Sequence, residues 1–277
     1  MSSISFDLLP APEILKNEVE CFSIAEYCGD EALAIKVSPR GIPGIVFQHS
    51  DGRSAIDNIT TRSGRKFSMP ILCLYGPGIE PSVMNFKRGS HTTIQVILKP
   101  HALKTLFGLD ASELTNGLVE LNEFSADDLN DQLMEAINNR VRVALLTNFL
   151  LAKLKQAKTR DALIEESLWL IHKNIACVNV KYLLEHLNIS ERQFEKRFTQ
   201  TVGISPQSYV RVTRFNEAIR LIKTGQFNRL TDIAFALNYY DQSHFIRNIK
   251  EFSGMTPKIL SQKLEDFHPD QAVFSYL

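Results

Sequence analysis

Two stretches of the chain, "SERQFEKRFTQTVGISP" (190–206) and "DQSHFIRNIKEFSGMTP" (241–257), decide the fold of its C-terminal half. Laid one above the other, they match at an offset of 51 residues. Ser190 meets Asp241, Phe194 meets Phe245, Phe198 meets Ile249, Gly203 meets Gly254 and Pro206 meets Pro257. Ser and Asp start helices because their side-chain oxygens accept from an N–H that the first turn leaves unpaired. Gly then Pro ends them, one by admitting a left-handed residue and the other by refusing to continue. Each stretch follows a shorter apolar-periodic one, "VKYLLEHL" (180–187) and "RLTDIAFAL" (229–237). The pattern predicts helix, tight turn, helix, stop, twice over. Asn188 and Asn238 occupy the two turns, where Asn tolerates a left-handed backbone. Ser190 with Gln193 reads as a capping box, Ile189 with Phe194 as a hydrophobic staple, and Tyr240 with Phe245 as a second staple.

On a helical wheel, Phe194 and Phe198 define the buried face of the first stretch, and Phe245, Ile249 and Phe252 that of the second. Arg192, Gln193, Lys196, Thr199 and Gln200 fall opposite in the first. Ser243, His244, Arg247, Lys250 and Glu251 occupy the same five positions in the second. Side chains of this kind reach base edges when a helix lies in a DNA major groove. A polar face is often only a solvated one, but two copies with matched caps and stops favour the groove reading. Gln242, at the helix start, sits nearest the phosphates. Glu195, at the edge of the first face, either accepts from a cytosine amino group or is solvated. Formal net charge is zero over 277 residues, yet Ser190 to Lys263 holds 12 basic and 6 acidic side chains, a local +6. That excess suits contact with phosphates.

The region 165–265 resembles the DNA-binding domain of the AraC/XylS family of transcription regulators. Ile233, Ala234, Asp241, Gln242, Ser243, Phe245, Gly254 and Pro257 match the pattern of its second half. Asn238 and Tyr239 stand where the family has Gly-Phe, and Ile249 replaces a common Phe. The resemblance implies two helix-turn-helix units joined by a long helix over about Pro206 to Lys223, with the reading helices about one DNA turn apart, ~34 Å. It implies double-stranded DNA as partner, with Arg192, Gln193, Lys196, Thr199, Gln200, Arg214, Gln242, Ser243, His244, Arg247 and Lys250 at the interface. For Arg214 a structural role competes with a phosphate contact. An activator of this family contacts RNA polymerase, so the polymerase is a further expected partner.

Residues 1–122 read as a β-rich barrel or sandwich. The runs "ALAIKVS" (32–38), "GIVFQHS" (44–50), "MPILCLYG" (69–76) and "TTIQVIL" (92–98) are strand-like, with turn clusters between them. "KPHALKTLFGLD" opens a helical pattern. From Ser125, a candidate N-cap, to Ala157 two helices are expected, with Leu129, Leu133 and Ile137 on one face. After a break near Asn138, Leu146, Leu150 (or Phe149) and Leu154 form another. The order of these elements resembles regulators with a cupin-like sensor, which implies a small-molecule effector in the barrel interior and dimerisation through 123–158. Packing of those helices on the barrel is the alternative. The fold expected is thus α+β, divided into a sensor (1–122), a helical segment (123–158), a double helix-turn-helix domain (159–268) and a tail (269–277).

Enzyme chemistry finds little support. His49, His91 and His101 are scattered rather than clustered as metal ligands, and there is no phosphate loop, nucleophile elbow or triad. No cofactor is expected. The competing readings are a small-molecule binder or enzyme with a helical partner-binding module, and a regulator that has no effector. Cys21, Cys28, Cys73 and Cys177 form no CxxC pair and read as small apolar fillers in a reducing compartment. The N-terminus lacks a signal peptide pattern, and "VRVALLTNFLLAKLKQA" (141–157) is too charged to span a bilayer, so a cytoplasmic location without membrane contact is expected.

Overall fold

The computed structural model describes residues 3–124, 126, 128–157, 160–225, 227, 229–263 and 274–276. Its N-terminal half is an antiparallel β-sandwich. The strands are β1 (Ser3–Pro10), β2 (Val19–Cys28), β3 (Ala34–Val37), β4 (Gly44–His49), β5 (Ile56–Thr61), β6 (Lys66–Phe67), β7 (Leu72–Tyr75), β8 (Ser82–Phe86), β9 (His91–Leu98) and β10 (Leu118–Glu120). A six-stranded sheet runs β1-β2-β9-β4-β7-β10. A five-stranded sheet runs β11-β3-β8-β5-β6, with β11 (Phe274–Tyr276) supplied by the C-terminal tail and paired with β3.

The large sheet is covered on both faces, so its central strands alternate between two environments. Phe22, Ile24, Ile45, Phe47, Ile94 and Val96 face outward beneath a helical layer, α1 (Ala102–Phe107), α2 (Leu129–Glu135) and α3 (Asn139–Gln156). Leu103, Leu133, Leu146 and Leu150 of those helices complete this core, each fully buried. A side chain removed from water in this way stabilises by roughly 1.5–3 kcal/mol. The opposite face carries Val46 and Cys73, which meet Ile56, Ile59 and Phe86 from the second sheet.

The anticipated runs fall on β3, β4, β7 and β9. Strands β1, β2, β5 and β8 add to them. In β2 the register shifts between Val19 and Cys21, which breaks the period-two signal. Ile137 does not share the face of Leu129 and Leu133. Helix α2 ends before it, Ala136 is extended, and Ile137 is 88% exposed. Ser125 lies outside the described residues. The cysteines are not uniformly fillers: Cys73 is buried, but Cys28 and Cys177 are exposed. His49 rests on Phe47 at 5.3 Å and His91 stacks on Phe86 at 4.5 Å, on opposite faces of the large sheet.

The C-terminal half is helical: α4 (Ala162–Lys173), α5 (Val180–Leu187), α6 (Glu191–Val202), α7 (Pro206–Thr224), α8 (Leu230–Ala236), α9 (Gln242–Ser253) and α10 (Pro257–Lys263). Helix α7 serves two cores. Its first turns place Tyr209 and Val210 against α4, α5 and α6, with Phe194 and Phe198. Its remainder places Phe215, Ala218 and Ile219 against α8 and α9, with Phe245, Ile249 and Phe252. Among the described residues no helix is long and apolar enough to cross a membrane.

Candidate nucleic-acid interface

The two repeats fold as two helix-turn-helix units, α5–α6 and α8–α9, hung on the single beam of α7. Both turns use a left-handed Asn, with φ of 49° at Asn188 and 52° at Asn238. Both second helices end on a left-handed glycine, Gly203 and Gly254. At the start of α9 the Asp241 carboxylate accepts from the His244 N–H at 2.6 Å, satisfying one orphan donor of the first turn.

Two details differ from the sequence expectation. The Ser190 hydroxyl donates to the Gln193 side-chain oxygen at 3.1 Å and caps no backbone N–H, so the predicted capping box does not form. The second staple belongs to Tyr239, whose ring centroid lies 5.2 Å from that of Phe245, while Tyr240 is 91% exposed. The extra residue in the second turn rotates Tyr240 outward and Tyr239 inward. The buried Tyr239 hydroxyl then donates to Asn248 at 2.7 Å, a bond that Phe at this position cannot make.

The polar faces are open where the wheel placed them. Arg192, Gln193 and Lys196 on α6, and Gln242, Ser243, Arg247 and Lys250 on α9, are exposed. Thr199, Gln200 and His244 are half-buried, His244 with its ring 5.4 Å from that of Tyr239. Among the described residues no carboxylate pairs with Arg192, Lys196 or Arg247. The basic residues elsewhere in the domain are largely committed: Arg197 to Asp161, Arg211 to Glu251 and Arg220 to Glu217. Arg192, Lys196 and Arg247 are thus left without an ion-pair partner on the two helix faces, as are Arg229 and Lys258 elsewhere in the domain, among the described residues.

Arg214 is turned inward. Its guanidinium donates to the Ile175 carbonyl at 3.3 Å and the Val178 carbonyl at 2.9 Å, and burial lowers its pKa. Of its two roles the structural one is what these bonds serve, since they tie the α4–α5 connection to α7. Lys250 lines a cleft against Thr60, Arg62 and Pro81 of the sandwich, and Glu251 is held by Arg211. Lys250 therefore turns toward the N-terminal half and Glu251 is tied to α7, so the open part of the α9 face is its first two turns.

Residues 183–263 match the family model described as a helix-turn-helix domain. The C-terminal domain is an AraC-type helix-turn-helix domain. Uncharacterized HTH-type transcriptional regulators of Staphylococcus aureus strains MSSA476 and N315 are 31% identical to this chain over 81 residues. That stretch is 29% of this chain and 11% of theirs, so the chain spans about a tenth of the length of the curated relatives it matches. Residues 7–120 match a model described as a domain of unknown function. Among solved structures, ToxT from Vibrio cholerae covers 94% of this chain and 98% of its own, at 13% identity and a TM-score of 0.48. ToxT bound to an unsaturated fatty acid covers 94% of each chain, at 14% identity and the same TM-score.

The AraC-type domain is docked on the sandwich through its helix ends. Gly203 fits against Pro77 and Ala111, and its carbonyl accepts from the Thr115 hydroxyl. Gly41, at φ 67°, lies against Val212, Ile204 and Tyr209. Arg62 donates to the Glu251 carbonyl at 2.8 Å, at the other end of the domain. Arg160, just before α4, donates to the buried Glu18 carboxylate at 2.9 Å; burial pushes that carboxyl up, and Arg160 partly offsets it. These contacts had no local sequence signal, because each joins residues far apart in the chain.

Proposed function

We propose that this chain is a sequence-specific DNA-binding transcription regulator. The carrying observation is the pair of equivalent helices, α6 and α9, each ended by a left-handed glycine, each buried on one aromatic side, each open on a matched polar side. Arg192, Gln193 and Lys196 read one major-groove segment, and Ser243, His244 and Arg247 the next, with Gln242 nearest the phosphates. Thr199 and Gln200 border the first face and Lys250 the second. We assign Arg214 to holding the domain together. The β-sandwich serves as the effector domain, its interior taking a small molecule. Residues 123–158 pair two copies as well as pack on the sheet: Leu129, Leu133, Leu146 and Leu150 are buried in the core, and Leu145, Phe149 and Leu151 of α3 lie at its margin, packed against it yet half-exposed. The setting is the cytoplasm, with RNA polymerase as the partner of an activator.

Selection of a randomised DNA pool by the full-length protein tests the reading. Recovery of two half-elements about one helical turn apart, ~34 Å, is expected. A pool that stays unenriched at low salt, where phosphate contacts are strongest, would overturn it. Within the recovered site, Arg247→Ala should lose about 1–3 kcal/mol selectively at one base position. A loss uniform across sequences would instead make Arg247 a phosphate contact.

A further inference from the structure

The space between the two sheets is a cavity in two chambers. The chamber nearer the AraC-type domain has a volume of about 160 Å³ and is edged by Arg40 and Glu80. The distal chamber, of about 50 Å³, lies against Phe6, Ala25, Tyr27 and Phe86. Val46, Met69, Met84 and Gln95 line both, so the chambers share a wall of mostly flexible side chains. An apolar cavity of ~150 Å³ is large enough to take a benzene-sized group. One such space, continued by a narrower one of about 50 Å³, suits an elongated molecule with a slim end.

The distal chamber also carries polar groups inside an apolar wall. On β9 the residues that alternate inward are His91, Thr93 and Gln95, in a strand buried on both faces. Thr93 is 7% exposed, and among the described residues its hydroxyl oxygen has no hydrogen-bond partner. The reason is visible in the pairing. Its neighbours across the sheet are Ala25, which has no polar side chain, and Gln48. The Gln48 amide is already spent: it donates to Ser54 and Pro70 and accepts from the Ala55 and Ile56 N–H groups. Buried polar groups are nearly always paired, so an orphan on a cavity wall marks where a partner from outside the chain fits. Among the described residues no Asp, Glu, Lys or Arg lines the distal chamber. Burial also lowers the pKa of His91, which keeps its ring neutral at pH 7. A charge placed there would lose its hydration with no counter-ion to replace it.

We infer that the sandwich binds an elongated, largely apolar molecule whose end in the distal chamber carries an uncharged hydrogen-bonding group, such as a hydroxyl or carbonyl, bonded by Thr93. The Thr93 hydroxyl oxygen is shielded in this structure, and a χ1 step is what turns it into the chamber. Gln95, able both to donate and to accept, stands beside it along the same strand. This inference rests on the reading of the sandwich as the effector domain.

The test uses full-length protein loaded with the fluorescent apolar probe N-phenyl-1-naphthylamine, competed at pH 7 by 1-decanol and by decanoate. Displacement by decanol at a concentration at least about tenfold lower than decanoate is expected. Thr93→Val should weaken decanol about fivefold, the size of one hydrogen bond, while leaving the probe bound. Thr93→Ser should keep the preference, and so separates the hydroxyl's role from any folding defect in the Val variant. Probe binding without a preference for the alcohol would overturn the inference and leave a bound water as the partner of Thr93. Tighter decanoate binding that Arg40→Gln abolishes would also overturn it, by placing the polar end at the proximal mouth. A protein that takes up no probe would overturn it outright. Retention of the selected DNA is then compared with and without decanol. Thr93-dependent decanol binding that leaves DNA retention unchanged would uphold the ligand class and refute the effector reading.

Discussion

Gly203 and Gly254 offer a paired experiment inside one molecule. They end α6 and α9 at matched positions of the repeat, with φ of 91° and 72°. An L side chain in this backbone region costs about 1–2 kcal/mol wherever it occurs, so Gly→Ala carries that penalty at both sites. The surroundings differ. A Cβ on Gly254 meets nothing within 4 Å among the described residues. A Cβ on Gly203 lies 2.6 Å from the Pro77 side chain and 2.7 Å from the Ala111 carbonyl oxygen, both in the sandwich. Backbone cannot swing aside as a flexible side chain can, so Gly203→Ala also carries an overpacking cost of about 1–3 kcal/mol. It pushes as well on the bond from the Thr115 hydroxyl to the Gly203 carbonyl. Urea unfolding of the full-length variants, followed by circular dichroism, reads the difference. Gly254→Ala should lose about 1–2 kcal/mol, and Gly203→Ala about 1–3 kcal/mol more, with early protease cleavage between the halves. Equal losses would refute the docked arrangement as a contributor to stability.

Three further outcomes follow from particular contacts. Tyr239→Phe strands the buried Asn248 oxygen and should destabilise the AraC-type domain by about 1–3 kcal/mol in thermal melts; adding Asn248→Ala should recover part of it. Stability should fall as pH drops below about 6.5, because burial lowers the pKa values of His91 and His101, so the unfolded chain binds protons the folded one refuses. His101→Gln should flatten that slope in urea titrations at pH 8 and pH 5. A thiol reagent should modify Cys28 and Cys177 at once, Cys21 more slowly, and Cys73 only after unfolding, since burial pushes the Cys73 thiol up to about 12.

The helix-turn-helix units are legible in the sequence because their signals are local. A cap, an aromatic pair at helical spacing, a left-handed Asn and a closing Gly all act within a dozen residues. Errors arise where one residue decides the phase. Tyr239 and Tyr240 are adjacent, and only the longer second turn shows which of them packs on Phe245. Ser190 has the residue type of a cap but spends its hydroxyl on the Gln193 side chain. In the sandwich, the run "TTIQVIL" gives a strand by its β-branched content. Its inward polar residues, Thr93 and Gln95, acquire meaning only once both faces of the sheet are covered. The register shift near the start of β2 breaks the period-two pattern there. The seam between the halves is out of reach of pattern, since Gly41, Pro77, Ala111, Thr115 and Gly203 are brought together by tertiary structure alone.

That seam bears on how such a chain can be recombined. The junction near residue 160 looks like a natural point at which to exchange one DNA-reading module for another. Yet the module rests on loops that belong to the other half, at Gly41, around Pro77 and from Ala111 to Thr115, and it is held again at Arg62. A chimera cut only at the linker would inherit a seat shaped for a different occupant. Grafting those loops along with the helices would preserve the fit, and modules in a natural lineage would be expected to change partners together with their seats.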